Sequence, residues 1–152
     1  MSGSRARFSN TNHLRILYAN ENKEDPSTEK VNIAEKLKQI RGYWKPHVIG
    51  ELNGQYVKLT KLKGRFVWHY HKDEDEMFLV LKGRFLMELR DRKLWIEEGE
   101  FIIIPRGVEH RPEAKEEVHI LLFEPVSTLN TGNVRDTVLH RSRLDRAVQK
   151  RK

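Results

Sequence analysis

Four residues of this chain have the types and spacing to do chemistry together: His69, His71, Glu76 and His110. His69 and His71 lie two apart in the run G-R-F-V-W-H-Y-H-K-D-E-D-E, residues 64–76. Side chains on a β-strand alternate faces, so both imidazoles project to one side, and Trp68 and Tyr70 to the other. The polar residues 72–75 make a turn. Glu76 then opens the apolar run 77–81, an antiparallel return that brings its carboxylate beside the two rings. His110 follows a second short strand, 101–104, and a turn in which Pro105 fixes φ and Gly107 supplies positive φ. Imidazole nitrogens and one carboxylate suit a single divalent transition metal, with positions left for water or substrate. Mn, Fe, Ni and Zn all accept such a set, and ligand type does not choose among them.

The same parity places Val67, Phe78 and Val80 on the ligand side, as an apolar wall of a substrate pocket. His119, on the last core strand, is the remaining candidate to face that pocket, with a hydrogen-bonded structural histidine as the favoured alternative. An apolar wall favours a small, partly hydrophobic substrate over a bare sugar phosphate, which would call for several Arg or Lys inside. Asp73, Glu74 and Asp75 read as a solvated loop, and His13, His47 and His140 as surface or packing residues. No general base stands out, so the catalytic residues stay unassigned.

Strands must position these groups. Residues 43–52, 55–62, 66–71, 77–81, 84–90, 93–96, 101–104 and 118–123 are short runs rich in Val, Ile, Leu and aromatics. Gly and charged turns cut them apart, most clearly at Lys82-Gly83 and Glu98-Gly99. Many short strands without intervening helices argue an all-β antiparallel sandwich or closed barrel. One short helix precedes them, with Thr28 as its N-cap, the stripe Val31, Ala34, Leu37 and Ile40, and Gly42 as its stop. Residues 125–133 read as a loop. The expected organisation is an N-terminal extension, 1–27, a barrel with its preceding helix, 28–134, and a basic tail, 135–152.

The 152 residues suit one domain with a real core. There are no cysteines, which excludes disulfides and thiolate metal sites and fits a reducing compartment. No apolar stretch approaches the roughly 20 residues that span a bilayer, and residues 1–10 lack the apolar core of a secretory signal. The expected location is the cytoplasm, with no membrane contact. The net charge of +7 sits at the ends. Residues 1–50 carry nine Lys and Arg against five Asp and Glu, residues 51–134 thirteen against fifteen, and residues 135–152 seven against two. The tail has no aromatic residue for base stacking, so nucleic acid is not expected as a partner.

His-x-His, Glu five residues after His71, Gly83 seven after Glu76, then G-E-F-I-I-I-P-R-G-V-E-H at 99–110, resemble the two sequence motifs of the cupin superfamily. Gly64 lies one residue closer to His69 than the motif has it, and Ala114 stands where Asn is common; neither is a ligand position. V-N-I-A-E-K-L, E-L-N-G-Q-Y-V-K-L and P-R-G-V-E-H-R-P are similar to stretches of many small single-domain cupins. The resemblance implies an antiparallel jelly-roll β-barrel and a metal held by His69, His71, Glu76 and His110. It also implies dioxygenase, decarboxylase or isomerase chemistry. Many small cupins carry a sugar-phosphate isomerase label, which brings no substrate residue onto this chain. The reading from sequence is a metal-dependent enzyme, an oxidoreductase of dioxygenase type before an isomerase; a noncatalytic metal- and ligand-binding module is the alternative. A homodimer is expected, because small cupins commonly pair. The segments 14–18 and 44–49 are apolar enough to cover a sheet edge.

Overall fold

A computed structural model describes residues 28–135. The expectations for residues 1–27, including the edge-covering segment 14–18, and for the tail beyond 135 lie outside these residues. All elements lie in the compact unit that begins at Val31. They are α1 (Ile33–Gln39), β1 (His47–Leu52), β2 (Gln55–Arg65), β3 (Glu76–Lys82), β4 (Arg84–Leu89), β5 (Lys93–Glu97), β6 (Phe101–Ile104) and β7 (His110–Pro125). Every strand pair is antiparallel, as the sequence predicts.

β7 is the strand on which the others converge. One of its edges pairs with β2 along nearly its whole length, from Gln55↔Pro125 to Arg65↔Glu113. Its other edge is divided between β4, from Leu86↔Glu113 to Leu89↔His110, and β3, from Met77↔Phe123 to Lys82↔His119. β1 extends the sheet beyond β2, β6 beyond β3, and β5 beyond β4. A register shift in β2 between Leu62 and Gly64 bends the strand. Leu62, Phe78, Val80, Phe85, Met87, Ile96, Val118, Ile120 and Leu122 form the buried core. Each such side chain contributes about 1.5–3 kcal/mol by leaving water.

Three elements depart from expectation. The helix is capped by Asn32, whose side chain accepts a hydrogen bond from Glu35 N at 3.1 Å, and not by Thr28. Val31 therefore precedes the helix and is exposed, Ala34 is exposed, and only Leu37 and the C-cap Ile40 turn inward. Residues 66–71 form no regular strand. Phe66 N donates to Pro112 O at 2.9 Å, but proline has no N–H to return the bond, so the ladder lapses until His69 and His110 exchange both of theirs. The last strand begins eight residues before Val118, because its polar run alternates with buried Pro112 and Ala114.

Candidate metal centre

The four sequence-predicted ligands come together inside the sheet. His69, His71, Glu76 and His110 are all buried, and their ligand atoms lie within 4.8 Å of one another. His69 and His110 meet through their two-bond backbone bridge, which sets their rings 4.2 Å apart, centroid to centroid. Glu76, the first residue of β3, puts Oε2 3.2 Å from His71 Nε2 and 3.3 Å from His110 Nε2.

Hydrogen bonding fixes which nitrogens face inward. His69 Nδ1 lies 3.0 Å from Val67 O, and His110 Nδ1 lies 3.0 Å from Val108 O. A carbonyl only accepts, so each Nδ1 carries the hydrogen and each Nε2 holds a free lone pair. His71 Nε2, His110 Nε2 and Glu76 Oε2 are buried without a hydrogen-bond partner among the described residues. With the hydrogen on Nδ1, His110 Nε2 and Glu76 Oε2 are two acceptors facing each other at 3.3 Å, which a cation would satisfy. Burial and the neighbouring His110, outweighing Glu76, lower His69 to a pKa of about 4, so its ring is neutral at physiological pH. The donor set, its protonation and its unpaired buried atoms all fit a divalent metal.

A small cleft opens beside His69 and Glu76. Trp44, Phe66, Phe78, Pro112, Ile120 and Leu122 supply its apolar wall, and Thr60 and Asn130 add polar atoms beside His69 and Glu76. None of its lining residues is Lys or Arg. Of the side chains expected here, Phe78 lines the cleft. Val67 does not, because residues 66–71 are not a regular strand, and Phe66 takes that place. Val80 is buried in the core opposite Ile120 and does not line the cleft. His119 faces outward on β7 between buried Val118 and Ile120, with Nε2 2.7 Å from Glu117.

Trp44 was not anticipated as a wall residue. It sits at φ 60°, where a non-glycine residue is strained, and is pinned by Nε1–H donating to Lys63 O at 2.7 Å and by stacking on Phe66 at 4.8 Å. The loop after β7 also contributes. Tyr70 N donates to Asn133 Oδ1 at 2.9 Å and Asn133 N donates to Tyr70 O at 3.1 Å. Asn130 Nδ2 donates to Trp44 O at 3.1 Å. This loop thus clamps the segment that carries His69 and His71. The Trp68 ring meets the guanidiniums of Arg90 and Arg111, at 3.9 and 4.8 Å from its centroid.

An antiparallel sheet enclosing three imidazoles and a carboxylate is the architecture of a metal-site cupin, and residues 57–124 match the cupin domain family. The crystal structure of a cupin-2 domain protein from Shewanella frigidimarina is 43% identical, with a TM-score of 0.61; the match covers 62% of this chain and 93% of that one. The chain belongs to the cupin family. Among curated proteins, the uncharacterized YdbB of Bacillus subtilis is 36% identical over 64 residues, 41% of this chain and 57% of its own length. Acireductone dioxygenase 4 of Arabidopsis thaliana is 31% identical over 106 residues, 64% of this chain and 54% of its own length. The chain therefore spans little more than half of these two relatives.

Proposed function

We propose that this cupin is a metalloenzyme acting on a small, partly apolar molecule, with one divalent transition metal held by His69, His71, Glu76 and His110. The observation that carries the reading is the pair of buried acceptors His110 Nε2 and Glu76 Oε2, 3.3 Å apart with no hydrogen between them, with His71 Nε2 buried and unpartnered beside them among the described residues. Such a metal, when bound, supplies a Lewis acid and, if redox-active, a site for oxygen chemistry. The protein's own part is positional. Val67 and Val108 carbonyls hold two imidazoles in the metal-binding tautomer, and the Trp44–Phe66 stack offers a flat apolar face beside them. The cleft's lack of Lys and Arg speaks against a phosphosugar. Dioxygenase-type chemistry is favoured over isomerisation by the acireductone dioxygenase relative. The alternative, a noncatalytic metal- and ligand-binding module, has one feature in its favour: no acid or base outside the four ligands lines the cleft.

We place the protein in the cytoplasm as a homodimer, on the absence of cysteines and on the exposed Phe101 and Ile103 of the edge strand β6. The segment 44–49, expected to cover an edge, lies on its own chain, where β1 pairs with β2.

Elemental analysis of protein purified without added metal tests the central reading. Stoichiometric metal in the wild type, lost in His69→Ala and His71→Ala with β content retained, is expected. Full occupancy in both variants refutes the site. Turnover of a small conjugated ketone or phenol, abolished in His71→Ala, separates enzyme from module; binding without turnover by every metal form favours the module.

A further inference from the structure

The interior holds two more charges than the four-ligand site uses. Lys58 on β2 and Glu124 on β7 are 1% and 2% exposed, with Nζ and Oε1 2.5 Å apart. The β3–β7 ladder pairs Met77 with Phe123 and Phe78 with Leu122. Continued one step, that register sets Glu76 across from Glu124. Both are on the face that buries Phe78, Val80, Ile120 and Leu122, and facing side chains at such positions stand close enough to interact. The second Glu124 oxygen, Oε2, is buried without a hydrogen-bond partner among the described residues.

A buried ion pair is often no better for stability than an apolar pair of the same size. This one therefore calls for another role, and its place across from a ligand supplies one. We propose that Lys58 and Glu124 are positioning residues for Glu76: Lys58 holds the Glu124 carboxyl on the inner face, and Glu124 fixes the Glu76 carboxyl in the rotamer that presents Oε2 to His71 and His110. The proposal rests on the four-ligand site binding metal. It adds that two residues far from the motif in sequence set the quality of that site. Partners behind metal ligands act in this way generally, and their loss weakens metal affinity by about 10–100-fold.

Cobalt(II), added to the full chain with its endogenous metal removed, is the probe. Its dissociation constant is read by competition with a chromophoric chelator, and its coordination by the visible absorption spectrum. Lys58→Met with Glu124→Leu removes both charges at similar size and leaves neither unpaired. We expect a dissociation constant raised about 10–100-fold and an altered spectrum, with a denaturant midpoint at or above wild type. Glu124→Gln, which keeps the reach and polarity of the side chain, restores affinity to within about threefold (roughly 0.7 kcal/mol or less) and the wild-type spectrum. Wild-type affinity and spectrum in the folded double variant overturn the proposal. Should that variant not fold, Glu124→Asp decides. It keeps the charge but withdraws the carboxyl by one methylene, so weakened binding with a changed spectrum supports the positioning role, and wild-type behaviour overturns it. A wild type that takes up no cobalt refutes the metal site itself. Wild-type cobalt binding that no variant alters refutes only the positioning role.

Discussion

Gly132 gives the most direct test of how the loop after β7 supports the site. A Cβ built there would lie 2.2 Å from Tyr70 O, 2.9 Å from Tyr70 C and 3.3 Å from His71 Nδ1. Its φ of +50° also belongs to the left-handed region. Gly132→Ala therefore carries two penalties. The first is conformational, about 1–2 kcal/mol for a residue with a Cβ in that region. The second is steric: backbone atoms at 2.2 Å cannot stay, so the loop must lift from Tyr70. Lifting sacrifices the two hydrogen bonds that tie Asn133 to Tyr70, at about 0.5–1.5 kcal/mol each. The total expected loss is about 2–5 kcal/mol. Gly99→Ala is the internal control, because Gly99 has φ +82° but nothing within 4 Å of a Cβ; it carries the conformational penalty alone, about 1–2 kcal/mol. Urea denaturation of both variants without metal gives the difference, and cobalt titration shows whether His71 loses its place. If Gly132→Ala costs no more than Gly99→Ala, or binds cobalt like wild type despite the larger loss, the loop does not hold the ligand segment.

The remaining predictions concern the core, the wall and assembly. Glu88, 2% exposed, is held at a pKa of about 2 against 4.5 by Arg111 and Lys93, at 2.7 and 2.8 Å. Because its pKa is depressed on folding, its contribution is complete above pH 4.5 and is lost as pH falls toward 2. The shift corresponds to about 3 kcal/mol at most, and to about 1–2 kcal/mol after allowing for the exposed Lys93 partner. Glu88→Gln should flatten urea stability between pH 4.5 and 2.5, and an unchanged pH slope contradicts the assignment. Trp44→Phe keeps a ring against Phe66 but drops the donor to Lys63 O, at about 1 kcal/mol, whereas Trp44→Ala costs about 3–5 kcal/mol. Equal losses in urea would show that the indole is not a packed wall. Sedimentation at micromolar concentration should give a dimer that Phe101→Lys with Ile103→Lys converts to monomer; a wild-type monomer at every concentration rejects the pairing.

The four candidate ligands were legible as a cluster because their spacing is local: two alternate residues, a turn and a second turn. The pocket was less so. Parity assumes a regular strand, and residues 66–71 lose theirs to Pro112, whose missing N–H acts on a partner more than forty positions away. His119 was misplaced for a different reason. The polar stretch R-P-E-A-K-E-E hides the first half of β7, yet His110, Pro112, Ala114, Val118, Ile120, Leu122 and Glu124 are all even-numbered and buried. Alternation along one strand from His110 turns His119 outward and Glu124 inward. Trp44 and Asn130 reach the cleft through a left-handed backbone and a loop, neither of which has a period to read.

β7 has a consequence in time as well as in space. Synthesis proceeds at about 5–20 residues per second, so roughly 4–14 s separate Gln55 from Pro125. The β1–β2 and β4–β5 hairpins can close within about 10 μs of emerging, and then wait. Until β7 arrives, β2, β3 and β4 each present an unpaired edge to the cell. No half-made chain can assemble the four candidate ligands, because His110 begins that last strand. A nascent chain stalled before it is a set of open strand edges, a substrate for chaperones or for other copies of itself.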